Sequence, residues 1–152
     1  MEQTQITAPE TATTTDIVSD YYDTYKEVQH DILQTETRKT RNAIFLVAAL
    51  LFGSDLLALF MANAATPSTL LYISVVPLLF VAVGFFALKQ PLAAIITALV
   101  LYVGIWGLTV YIYGGSQLMS GLIIKAITVT TLLVGLNNAR EAEKARNNLK
   151  NA

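Results

Sequence analysis

The sequence predicts an all-α protein: a polytopic four-helix transmembrane bundle with both termini in the cytoplasm. A long amphipathic helix leads into the bundle, and the fourth helix extends out of it into the cytoplasm. Three observations predict this. Four apolar runs, about residues 42–62, 69–88, 92–113 and 117–136, each approach the roughly 20 residues that span ~30 Å of hydrocarbon as a helix. Only 14% of the residues are charged against 54% hydrophobic, with mean hydropathy +0.53, which excludes an ordinary soluble globule. Finally, basic residues flank the start of the first run, the second-to-third turn and the end of the fourth, while the other two turns carry none. By the positive-inside rule, all three basic sites lie on the cytoplasmic side.

Residues 1–15, MEQTQITAPETATTT, are Thr-rich and without periodicity, and are expected to form a disordered arm. The N-terminus has no basic stretch ahead of an early apolar run, so a cleaved signal peptide is not expected.

Residues 16–41 hold no Gly or Pro, and Thr15 or Asp16 can cap the start of a helix. Val18, Tyr21, Tyr25, Val28, Ile32 and Thr35 follow one another at spacings of three and four. That places them on a single stripe in the heptad-like register of a short coiled coil. A helix lying flat on a membrane surface needs a basic polar face. Here Asp16, Asp20, Asp23, Glu27, Asp31 and Glu36 outnumber Lys26, so the stripe Val18, Tyr21, Tyr25, Val28 and Ile32 is expected to bind a protein partner. His30 falls off the stripe and is expected to be solvated.

Arg38, Lys39 and Arg41 mark the membrane boundary. No breaker separates this helix from the first span, so one rod over about residues 16–62 is expected, with Gly53-Ser54 as the natural point of bend. The second span carries Pro77 near its middle, where lipid-embedded helices tolerate a kink. Lys89-Gln90-Pro91 turns the chain into the third span, and Gly114-Gly115-Ser116 into the fourth. Tyr72, Tyr111 and Tyr113 fit an interfacial aromatic belt. Residues 137–152 form a basic helical tail whose Ala139, Ala142, Ala145 and Leu149 make a small apolar stripe. The acidic first helix and the basic tail are expected to pair antiparallel with their charged faces matched, or else each to pair with another subunit or another protein.

One polar layer interrupts the hydrocarbon. Asp55 sits late in the first span and Lys125 early in the fourth, both ~10–12 Å below the same membrane face at the helical rise. A charge at that depth costs roughly 2.5–3.5 kcal/mol on insertion scales, so either an Asp55–Lys125 pair inside the bundle or a neutral, protonated Asp55 is expected. Tyr102, Trp106 and Thr109 share one face of the third span, and Gly121, Lys125 and Thr128 one face of the fourth. The expected layer is therefore Asp55, Lys125, Tyr102, Trp106, Thr109 and Thr128: a structural pair, the lining of a substrate or ion pathway, or a contact to a partner subunit.

The remaining chemistry is sparse. With no cysteine and one histidine, thiol catalysis, iron–sulfur clusters and His- or Cys-ligated metals are excluded. No phosphate-binding glycine loop, catalytic carboxylate pair or nucleophile with a nearby base is present. No metal or cofactor is expected, and no nucleic acid, because the basic tail is short and mixed with acids. The expected function is that of a non-enzymatic multi-pass membrane protein acting through protein contacts, as an accessory subunit or self-assembling scaffold. Its partners are then the lipid bilayer and a homo-oligomer or larger membrane complex; a bacterial inner membrane is the simplest home. The alternative is a small transporter or channel that uses Asp55 and Lys125.

Overall fold

The structure, a computed structural model, describes residues 12–63, 66–114 and 121–151, with side chains from residue 20 onward except that of Tyr113. The described residues form four helices and no strand: α1 (Ala12–Met61), α2 (Pro67–Phe86), α3 (Pro91–Tyr113) and α4 (Leu122–Asn151). Each is long and apolar enough to cross a membrane, and four such candidate spans point to a membrane protein.

The helix ends follow local chemistry. Pro67 and Pro91 open α2 and α3 at the position where the missing N–H costs nothing. Thr66 caps α2, its hydroxyl accepting the Thr69 N–H at 3.3 Å. Asn63 turns the chain out of α1 with φ +55°, in the left-handed region that Asn tolerates. Gly114 (φ +80°) closes α3 and Gly121 (φ +65°) stands immediately before α4, both conformations that a side chain would strain. The expected start of the fourth span at residue 117 lies outside the described residues, as does the arm over residues 1–11. Residues 12–15 belong to α1, which therefore begins ahead of the expected cap at Thr15 or Asp16. α1 is one helix of 50 residues and continues without interruption through Gly53 and Ser54.

Within the apolar helices, side-chain hydroxyls are satisfied locally. Ser74, Thr97, Thr130 and Thr131 each donate to the carbonyl four residues earlier, at 2.8 Å.

α1 packs chiefly on α4 and then on α2, and α3 packs on α4 and α2, so the helices surround a common centre in chain order. Ile44, Val47, Phe80, Ile95 and Leu132 are fully buried there. In lipid, apolar burial alone does not drive helices together; close approach at small residues does. Gly84 of α2 lies directly against the Phe45 ring, and Gly135 of α4 against Ile95 and Ala43. The Thr40 hydroxyl donates to Glu36 O at 2.9 Å and reaches Gly135 O at 3.4 Å, tying α1 to α4 at that level.

Beyond Gly135, α4 buries Ala139, Ala142 and Ala145, while α1 half-buries Gln29, Leu33, Glu36 and Thr37. The acid-to-base matching expected between the helices is not what the ion pairs show. Among the described residues they run within a helix: Glu36–Lys39 (2.6 Å), Glu141–Lys144 (2.8 Å) and Glu143–Arg146 (3.8 Å). An alanine ridge on α4 buries a face without charges, and each of the three pairs joins residues one turn apart on the same helix.

Candidate functional site

Asp55, Lys125, Tyr102, Trp106 and Thr109 all line one cavity of about 560 Å³, to which all four helices contribute. α1 supplies Leu51, Ser54 and Asp55, α2 Val76 and Phe80, α3 Tyr102 and Trp106, and α4 Ile124 and Lys125. Phe80 (0% exposed) and Tyr102 (8%) are buried at its inner end. Met61, the last residue of α1, and Gly121, just ahead of α4, line its outer end. The packed centre of Ile44, Val47, Ile95 and Leu132 lies on the other side of Phe80 and Tyr102 along the helices. Toward the end from which α1 and α4 project, the cavity therefore ends at Phe80 and Tyr102.

Its polar groups are disposed unequally. The Lys125 ammonium stands 5.8 Å from the centre of the Trp106 ring, at cation–π range. The Ser54 hydroxyl donates to Leu51 O at 2.8 Å and Thr109 to Ile105 O at 2.9 Å, so both reach the cavity with their protons already committed. Thr128 does not line the cavity. It is fully buried and donates to Ile124 O at 2.8 Å.

The direct Asp55–Lys125 ion pair expected from the sequence is not among the ion pairs of the described residues. Both residues line the same cavity, Asp55 from α1 and Lys125 from α4. Among the described residues the Asp55 carboxylate makes neither an ion pair nor a hydrogen bond. Pro77, at a similar level, turns to a different groove, with Phe45, Ala48 and Phe52.

The α2 contribution, Val76 and Phe80, had no signal in the sequence: both are ordinary apolar residues of an apolar run. Ser54 and Ile124 were recoverable, each one residue from a charged member of the layer.

The stripe on the projecting part of α1 is solvent-facing. Tyr21 is 71% exposed and Val28 49%, with Tyr25 and Ile32 also exposed. The side chain of Val18 lies outside the described residues. Tyr22 joins the same exposed surface, its ring set edge-on to Tyr21 at 6.4 Å. The face of α1 that is covered is instead that of Gln29, Leu33 and Thr37, one position round the helix from the stripe. His30 is exposed and sits off the stripe, beside Asp31, Arg38 and Arg41 in a shallow groove.

Comparison with protein-family models, with curated proteins and with solved structures gives no match for this chain.

Proposed function

We propose that the chain is a non-enzymatic multi-pass membrane protein that acts through protein contacts, as an accessory subunit or scaffold. In this reading both termini are cytoplasmic, because Arg38, Lys39, Arg41, Lys89 and the basic residues of the tail all lie toward one end of the helices. One observation carries the proposal. The projecting part of α1 keeps Tyr21, Tyr25, Val28 and Ile32 exposed while a neighbouring face is the one that is covered. Contiguous apolar surface of this kind, rimmed by polar residues, marks interaction sites.

Asp20, Asp23, Glu27 and Asp31 flank the stripe, so a partner helix with basic flanks fits it better than a second copy. Two copies in one membrane would set these acidic helices parallel, like charge beside like charge.

A photo-crosslinking residue placed at Tyr25, Val28 or Ile32 of the full chain in its native membrane tests this. A discrete adduct of defined mass is expected from these sites and not from Gln34, which is exposed but off the stripe. An adduct with another protein supports an accessory role and a self-adduct a scaffold. No adduct, or equal labelling at Gln34, refutes both.

The cavity favours a second reading, a small transporter or channel using Asp55 and Lys125. That reading requires the packed centre of Ile44, Val47, Ile95 and Leu132 to open, since the cavity ends above it. Loss of solute flux in Asp55→Asn with the fold intact would support it; flux unchanged would remove it.

A further inference from the structure

We infer that the seam between α1 and α2 binds an anionic phospholipid, its phosphate oxyanion held by Arg38 and Arg41 and one acyl chain laid along the apolar groove beyond them. How the α1 stripe is used has no bearing on this site. Arg38 and Arg41 stand one turn apart on α1, so two like charges are neighbours on one face. The residues three and four away from them, Gln34, Thr35, Thr37, Asn42, Ile44 and Phe45, include no acid. Lys39, between them in the chain, has Glu36 one turn away and pairs with it. Among the described residues neither arginine makes an ion pair or a side-chain hydrogen bond, and Arg41 Nε is buried without a partner. Two guanidinium groups on one face match the oxygens of a phosphate ester.

The shape of the seam gives the oxyanion its place. Both arginines line a depression of about 550 Å³ that is completed by Leu88, just past the end of α2. Asp31 lines it too, but about 10 Å further out than Arg38 by the rise per residue, at the end away from the apolar run. The phosphate is expected at the other end, between Arg41 and Leu88. Asn42 follows Arg41 and opens the apolar run, so this end lies where phospholipid headgroups meet a span. Beyond it the same seam continues as a second groove of about 430 Å³, lined by Phe45, Ala48 and Phe52 of α1 and by Pro77, Leu78 and Val81 of α2. Gln34, Arg38, Arg41, Phe45, Ala48 and Phe52 follow one another at spacings of four and three, a single face of α1 that turns from polar to apolar at the membrane boundary. The Arg41 guanidinium, 5.9 Å from the centre of the Phe45 ring, joins the two grooves. A free phosphate would use only the first groove; a phospholipid fills both.

Native mass spectrometry of the full chain released from nonionic detergent reads lipid retention directly. With dioleoyl phosphatidylglycerol and dioleoyl phosphatidylcholine added together in equal amounts, a single-lipid phosphatidylglycerol adduct is expected, roughly tenfold more abundant than the phosphatidylcholine adduct. Arg38→Gln and Arg41→Gln should each reduce it roughly five- to tenfold. Arg38→Lys, which keeps the charge but not the fork, should keep most of it. Lys144→Gln with Arg146→Gln removes positive charge from the tail instead and should leave the adduct unchanged. An excess of inorganic phosphate should not displace the lipid.

Three results overturn the proposal: equal retention of the two lipids, an undiminished adduct in a folded variant carrying both Arg38→Gln and Arg41→Gln, or the same loss from the tail variant. Displacement by inorganic phosphate overturns the phospholipid as the ligand and leaves the free anion in its place. Should Arg41→Gln fail to fold, Arg38→Gln, at an exposed position, and the selectivity of the unmodified chain still decide.

Discussion

Placing a methyl group on Gly84 tests how α1 and α2 are held. A Cβ built there would stand 2.7 Å from Phe45 Cδ1 and closer still to Cε1, and its three nearest neighbours all belong to that one ring. Gly84→Ala therefore gains roughly 1 kcal/mol of helix propensity but must displace Phe45. Phe45 is not free to leave without loss. Its ring is edge-on to Phe85 at 5.5 Å, and the Arg41 guanidinium lies 5.9 Å from its centre. The aromatic pair is worth about 0.5–1.5 kcal/mol and the cation–π contact at least about 0.5–1 kcal/mol. The alternative, a compressed interface, costs about 1–3 kcal/mol. Gly84→Ala in the native background should thus destabilise by about 0–2 kcal/mol after the propensity gain. With Phe45→Ala already present the obstacle is gone, and the same change should stabilise by up to about 1 kcal/mol. The sign reversal, a coupling of about 1–3 kcal/mol, is the quantity to measure. Reversible unfolding in mixed micelles titrated with sodium dodecyl sulfate, followed by helical circular dichroism, gives all four free energies of the cycle. An identical effect of Gly84→Ala in both backgrounds would refute the packing described for this pair.

Two further predictions concern α4. Leu132 is fully buried at the centre of the helices, so Leu132→Ala should lower stability in the same assay by about 2–5 kcal/mol; a loss below 1 kcal/mol would mean the site collapses or is not packed as described. Ala142 is also fully buried, where α4 projects with α1, and Ala142→Leu should force the two apart at an overpacking cost of about 1–3 kcal/mol. Limited proteolysis should then cut residues 20–37 faster while the apolar parts of the helices stay protected. Unchanged cleavage would place the covering of Ala142 elsewhere.

Much of this architecture is legible in the residues because each helix announces itself by length and composition. The apolar runs expected at 42–62, 69–88 and 92–113 coincide within a residue or two with the apolar end of α1, with α2 and with α3. Proline at the first turn of α2 and α3 and left-handed glycines beside α3 and α4 fix their ends by chemistry that needs no tertiary information. The shared level of Asp55 and Lys125 was likewise readable, since the helical rise is constant. The separation of the two charges was not: pairing was expected from the cost of burial, and whether helices close upon a pair or leave a space depends on side chains such as Phe80 that carry no polar mark. The covered face of projecting α1 was equally hidden. Apolar periodicity points to Tyr21, Tyr25, Val28 and Ile32, yet the helix half-buries Leu33, Glu36 and Thr37. Against an alanine ridge, closeness of approach outweighs greasiness, and a hydropathy pattern records only the latter.

The length of α1 has a mechanical corollary. Tyr25 and Asp55 are carried on the same uninterrupted helix, about 45 Å apart by the rise per residue. To the extent that this shaft is stiff, a twist or thrust applied at its acidic end is delivered to the carboxylate at the other without an intervening joint. The backbone at Gly53, where an added Cβ would meet no neighbour within 4 Å, is the place where such a transmission could slip.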